Sequence, residues 1–193
     1  MEKKDTRSEI IRIGTELIAR HGYNATGIEM VLKEAGVPKG SFYHYFRSKE
    51  EFGLAVMDLF AVRYSQRMTA LLQDTSLAPL TRLRRLLEGS LERFSRNQCS
   101  KGCLIGNLGQ ELADQNERFR ARLDEIFSGW RQLFAACLQE AQQAGTLRAD
   151  GDCDTLASFI LSGWEGAILR AKVMKSPQPL QDFIQILFLQ TLS

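Results

Sequence analysis

Thr26-Gly27-Ile28-Glu29-Met30-Val31-Leu32-Lys33-Glu34-Ala35-Gly36-Val37-Pro38-Lys39-Gly40-Ser41-Phe42-Tyr43-His44-Tyr45-Phe46-Arg47-Ser48-Lys49 is the stretch on which the fold turns. It divides at Ala35-Gly36-Val37. Before the division, Thr26-Gly27-Ile28-Glu29 has the form of a capping box, in which threonine and glutamate satisfy each other's orphan helix amides. The helix so opened ends at Gly36. After it, Pro38 suits a first helical position, because its missing N–H would have had no partner there. A short helix over about 39–45 follows. Ser48-Lys49-Glu50-Glu51 is a second capping box, and the long helix behind it carries Phe52, Val56, Leu59 and Phe60 on one face.

Upstream, Ile10, Ile13, Leu17 and Ile18 stand at helical spacing over about 6–21, with Gly22 as a stop. Three short helices and a long connecting helix therefore fill residues 1 to about 72. Downstream, the periodicity predicts helices over about 80–97, 101–112, 117–144, 153–174 and 179–191. Strand-type alternation is missing and the four prolines sit near segment boundaries. The fold class expected is all-α, with an N-terminal three-helix unit followed by a larger helical domain.

Composition narrows the functional classes. Of 193 residues, 44% are hydrophobic and 25% charged, an ordinary balance for a chain with a sizeable core. No apolar run reaches membrane-spanning length, and the charged N-terminus has no signal-peptide core, so a cytoplasmic protein is expected. Four cysteines, Cys99, Cys103, Cys137 and Cys153, are too few for a disulfide scaffold and are expected as reduced thiols.

The formal net charge is only +2, but its distribution is uneven. Between residues 33 and 49, Lys33, Lys39, Arg47 and Lys49 face the single acid Glu34. A solvated helix face would account for the charge alone. The turn at Gly36 adds a second reason, because two short helices joined this tightly cross steeply. In such a unit the second helix enters the DNA major groove with its N-terminal residues toward base edges. Here these are Lys39, Gly40, Ser41, Tyr43 and His44. Lys39 suits guanine O6 and N7, Ser41 suits either base type, and Gly40 lets the backbone approach closely. Tyr43 and Tyr45 carry phenolic donors for phosphates, and Lys49 adds a cation beside helix amides. Phe42 and Phe46 fall on the opposite face and are expected in the core.

The order from Gly36 to Glu50 closely resembles the recognition helix of the TetR family of bacterial repressors, and Gly22-Tyr23 and Thr26 extend the match. The resemblance implies a DNA-binding part at residues 1–50, with the motif about 27–46, and an effector-binding and dimerisation part at 51–193. It implies contact with double-stranded operator DNA through Lys39, Tyr43 and His44, with Thr26 among the DNA-binding residues. It implies a homodimer released by a small-molecule inducer, with no membrane partner. In relatives the last two long helices pair with their symmetry mates. The matching segments, about 154–174 and 180–192, offer Phe159, Leu161, Trp164, Ile168, Phe183, Leu187 and Phe188. Two positions depart from the pattern: Gly27 stands where many relatives have a hydroxyl, and Glu29 where many have arginine.

Ser100-Lys101-Gly102-Cys103-Leu104 is also unusual. With Ser100 as cap, Cys103 falls in a first helical turn, where amides and Lys101 favour a thiolate. The segment is similar to the Gly-Cys-Leu segment of the subgroup typified by the N-ethylmaleimide reductase repressor, which is linked to reactive electrophiles. Lys172 matches that subgroup too. Cys103 thus reads as an effector-sensing thiol or as a small buried hydrophobe, and Lys172 as its partner or as a solvated helix residue.

Other chemistries find little support. Asp150-Gly151-Asp152-Cys153-Asp154 starts like a calcium loop but has Thr155 and Leu161 where that loop needs Gly and Glu. His21 and His44 have no ligand neighbours at metal spacing. Walker, dinucleotide and nucleophile-elbow patterns are missing. Neither an enzyme nor a cofactor is expected.

Overall fold

A computed structural model describes residues 6–192, and among these every regular element is a helix. In chain order they are α1 (Thr6–His21), α2 (Ile28–Ala35), α3 (Lys39–Tyr45), α4 (Lys49–Leu72), α5 (Pro79–Arg96), α6 (Leu104–Leu112), α7 (Glu117–Gln143), α8 (Cys153–Met174) and α9 (Gln178–Ile186). A π-helical turn, Leu187–Thr191, continues α9, so the last helix predicted to reach 191 changes pitch at 187. Two compact units form. One takes residues up to 63 together with 103–123, and the other takes 64–102 and 124–193.

The first unit is built around aromatic rings. Phe42, Phe46 and Phe52 are buried, with ring centroids 5.3 to 5.4 Å apart. Each such side chain contributes about 1.5–3 kcal/mol on removal from water. Ile10, Ile13 and Ile18 of α1 and Val31 and Leu32 of α2 complete the core. Phe52 requires Gly14 opposite it: a Cβ there would lie 2.2 Å from the ring. Of the face predicted for α4, Phe52 and Val56 are buried, while Leu59 and Phe60 are half-buried.

The turns follow the sequence with two corrections. Gly22 (φ +84°) and Gly36 (φ +63°) end α1 and α2 in the left-handed region, where a side chain is strained. The Thr26–Glu29 capping box does not form. Gly27 is the N-cap of α2, with no side-chain cap, and the Thr26 hydroxyl donates to the Gly22 carbonyl at 2.7 Å. Pro38 lies one position earlier than expected, at the N-cap of α3 rather than its first residue. Ser48 does cap α4, accepting the Glu51 amide at 3.1 Å, while Glu51 reaches back to the Arg47 amide at 2.9 Å.

In the second unit Arg82 is almost wholly buried and tied on three sides. It donates to the carbonyls of Leu77 (2.8 Å) and Leu72 (3.1 Å) and pairs with Glu140 at 2.6 Å. It thereby satisfies a carbonyl at the end of α4, which the helix itself leaves orphaned. Asp152 caps α8 by accepting the amides of Asp154 and Thr155. The acid-rich segment before α8 is thus a helix start. Trp164 and Leu187, named as interface candidates, belong to this unit's core: Trp164 is 3% exposed and packs on Phe183 at 5.7 Å.

Candidate nucleic-acid interface

Helix α3 has two faces of opposite character. Phe42 is fully buried and Phe46, its C-cap, is 1% exposed. On the other side Lys39, Gly40, Tyr43 and His44 are exposed, Tyr43 at 54%, although an aromatic of that size normally gains by burial. Ser41 and Tyr45 sit half-buried at the margins. The rings brace one another, Tyr43 edge-on to Phe42 at 5.4 Å and His44 edge-on to Tyr45 at 4.8 Å. A Cβ at Gly40 would meet nothing within 4 Å, so its backbone is open to close approach. Across from it, the Lys39 ammonium lies 3.2 Å from the Glu29 carboxylate of α2.

Lys49 and Thr26 serve the turn between α1 and α2. The Lys49 ammonium donates to the Asn24 carbonyl at 3.1 Å and stands 4.6 Å above the Tyr23 ring. Burial lowers its pKa, and the charge of Glu111 partly opposes that. Thr26 is 2% exposed, with its hydroxyl committed to Gly22. The same turn is gripped from α6. Glu111 accepts the amides of Tyr23 and Asn24, and Gln115 accepts the Asn24 side-chain amide at 3.4 Å. Tyr23 packs against Phe119 at 5.1 Å. Burial, with the nearby charges of Glu50 and Glu111, pushes its phenol up to about 12. Glu111 escaped the sequence reading because it stands 88 residues from Tyr23 and no local pattern links them.

Cys103 is placed differently from expectation. Helix α6 starts at Leu104, not at 101, so Ser100 does not cap it. Cys103 is itself the N-cap, its sulfur accepting the Gly106 amide at 3.5 Å. The reason lies in the backbone: Gln98, Cys99, Lys101 and Gly102 all have positive φ, which a helix cannot contain. Cys103 is half-buried, whereas Cys99, Cys137 and Cys153 are buried. Burial pushes the Cys137 thiol up to about 11, and burial with Asp152 and Asp154 raises Cys153. Lys172 is half-buried in the last turn of α8, in the other unit. Among the described residues no three His, Cys, Asp or Glu side chains group as a metal site, and no helix is long and apolar enough to cross a membrane.

A buried aromatic base under a short helix, with a basic and phenolic face turned outward, defines a helix-turn-helix DNA-binding regulator. Residues 10–56 match the family described as bacterial regulatory proteins, tetR family, and residues 79–187 match the tetracyclin repressor-like C-terminal domain. The chain belongs to the TetR family and is a DNA-binding transcriptional regulator. It is 44% identical to the transcriptional regulator AcuR of Cereibacter sphaeroides, over 90% of this chain and 80% of that one. With the HTH-type transcriptional repressor NemR of Escherichia coli it shares 34%, over 92% and 89%. Among solved structures, the regulatory protein TetR from Rhodobacter sphaeroides superposes with a TM-score of 0.88 at 43% identity, covering 92% and 94% of the two chains. The reduced form of E. coli NemR gives 0.88 at 34%, covering 94% of each.

Proposed function

We propose that the protein is a repressor that binds a two-fold operator as a homodimer. Lys39, Gly40, Ser41, Tyr43 and His44 address base edges, while Tyr45 and Lys49 address phosphates. The observation that carries this reading is the outward face of α3 over the buried Phe42 and Phe46. An ammonium has three donors and Asn24 takes one from Lys49, which leaves others for a phosphate. Thr26 contributes by fixing the turn before α2. DNA binding belongs to residues 1–50 in this reading, and effector binding and dimerisation to 51–193.

The dimer partner is a second copy, since two matched half-sites call for two-fold symmetry. Phe159, Leu169 and Val173 of α8, with Ile186 and Leu189, are large apolar side chains left exposed by the single chain. They supply an apolar surface for a second copy, in place of the buried Trp164 and Leu187.

Effector sensing is assigned to Cys103. In a covalent form, its thiolate sulfur adds to an electrophilic carbon, forming a C–S bond while the displaced electron pair takes a proton from water. The Gly106 amide supports the thiolate, as a helix N-terminus does. In a reversible form, a small apolar ligand occupies a pocket that Cys103 merely lines; Lys172 is a weaker sensing candidate that rests on the family resemblance alone. The test of DNA binding is titration of a bound duplex with salt. The reading expects affinity to fall steeply through counterion release, and insensitivity to salt contradicts it.

A further inference from the structure

We infer that Glu29 and Lys39 act as one base-reading unit, selecting a guanine–cytosine pair in each half-site. The inference rests on α3 being the groove-reading helix, and deepens that assignment by adding a residue of α2. Glu29 is the second residue of α2 and Lys39 the first of α3. The turn at Gly36 brings them together, with Lys39 Nζ 3.2 Å from Glu29 Oε1. Both side chains remain largely exposed, at 66% and 83%.

An exposed ion pair of this kind contributes roughly 0–1 kcal/mol to stability, so holding the two helices together is not its main consequence. Nor does it exhaust either group. The ammonium has three donors and the carboxylate about four acceptor sites, and the pair consumes one of each. What remains is a donor and an acceptor placed a hydrogen-bond length apart, beside the open backbone of Gly40.

The major-groove edge of a guanine–cytosine pair has the complementary pattern. Guanine N7 and O6 accept, and the cytosine N4 amino group beside them donates. Lys39 serves the first and Glu29 the second. An adenine–thymine pair sets the thymine O4 acceptor against the carboxylate and is rejected. A carboxylate at this edge also faces the repulsion of nearby phosphates, and a hydrogen bond from cytosine offsets that repulsion only on the right sequence.

The experiment selects bound duplexes from a random library with the full-length protein, then repeats the selection with Glu29→Ala and Glu29→Gln. Wild type is expected to recover half-sites sharing a guanine–cytosine pair. Glu29→Ala should bind the same sites but lose about tenfold in preference at that pair alone. Glu29→Gln, which adds an amide donor, should shift that position toward adenine. A uniform gain in affinity by Glu29→Ala, with every base preference intact, would overturn the inference and leave Glu29 a simple electrostatic brake. Failure of wild type to recover any half-site would overturn the groove assignment beneath it, a distinguishable result.

Discussion

Glu111 holds the backbone of Tyr23 from 88 residues away, accepting its amide at 2.8 Å with one carboxylate oxygen while the other accepts the Asn24 amide at 2.7 Å. Helix α6, with Cys103 at its start, is thereby fastened to the turn between α1 and α2, to which Lys49 of α4 also donates. Glu111→Gln keeps one acceptor oxygen and loses the charge. We expect it to cost about 1–2 kcal/mol in denaturant unfolding. DNA affinity should fall alike for all sequences, because the turn holds Lys49, the residue proposed to meet a phosphate, and touches none of the proposed base readers on α3. A variant unchanged in both respects would show the grip to be incidental.

Thiol accessibility separates Cys103 from the rest. The native protein should release one fast equivalent with a disulfide reagent and all four only when denatured, because Cys99, Cys137 and Cys153 are buried. Cys103→Ser should abolish the fast phase. Duplex release by a small electrophile should disappear with it if sensing is covalent, and equal release by both proteins would favour the reversible pocket.

Assembly is tested at α8. Val173, 66% exposed, and Phe159, 55% exposed, can each be replaced by Glu without disturbing the core. Sedimentation should show a dimer for wild type and a monomer, folded but weak on DNA, for either variant. Trp164→Glu should instead unfold the protein, because it buries an unpaired charge. A wild-type monomer at micromolar concentration would contradict the dimer.

Alkaline stability follows from two groups. Cys137 is raised to about 11 from an ordinary 9.0, and Tyr23 to about 12 from 10.0, in both cases chiefly by burial. Each favours its protonated form when folded, so each contribution is complete below the ordinary value and is lost as pH rises through the raised one. Stability should therefore decline from about pH 9 upward, and Tyr23→Phe should flatten the part above 10. A decline identical in Tyr23→Phe would assign it to other groups.

The contrast between Phe42 and Tyr43 was legible in the sequence because adjacent helix positions point about 100° apart and the stops at Gly22 and Gly36 fix the register. What was not legible depends on tertiary contact or on backbone conformation. Thr26 and Glu29 had the letters of a capping box, but Gly22 offered the hydroxyl a carbonyl and Lys39 offered the carboxylate a cation. Cys103 moved from first turn to N-cap because Lys101 and Gly102 take positive φ. Along the 22 residues of α8, apolar side chains occur on more than one side, so composition did not distinguish buried Trp164 from exposed Val173.

Base reading by the outward face of α3 is tested most directly by comparing Lys39→Ala with Lys49→Ala on selected and scrambled duplexes. Lys39→Ala should relax sequence preference, costing roughly 1–3 kcal/mol on the selected site alone. Lys49→Ala should weaken both duplexes equally and reduce the salt slope by about one phosphate contact. Unchanged affinity and preference in a correctly folded Lys39→Ala protein would contradict it.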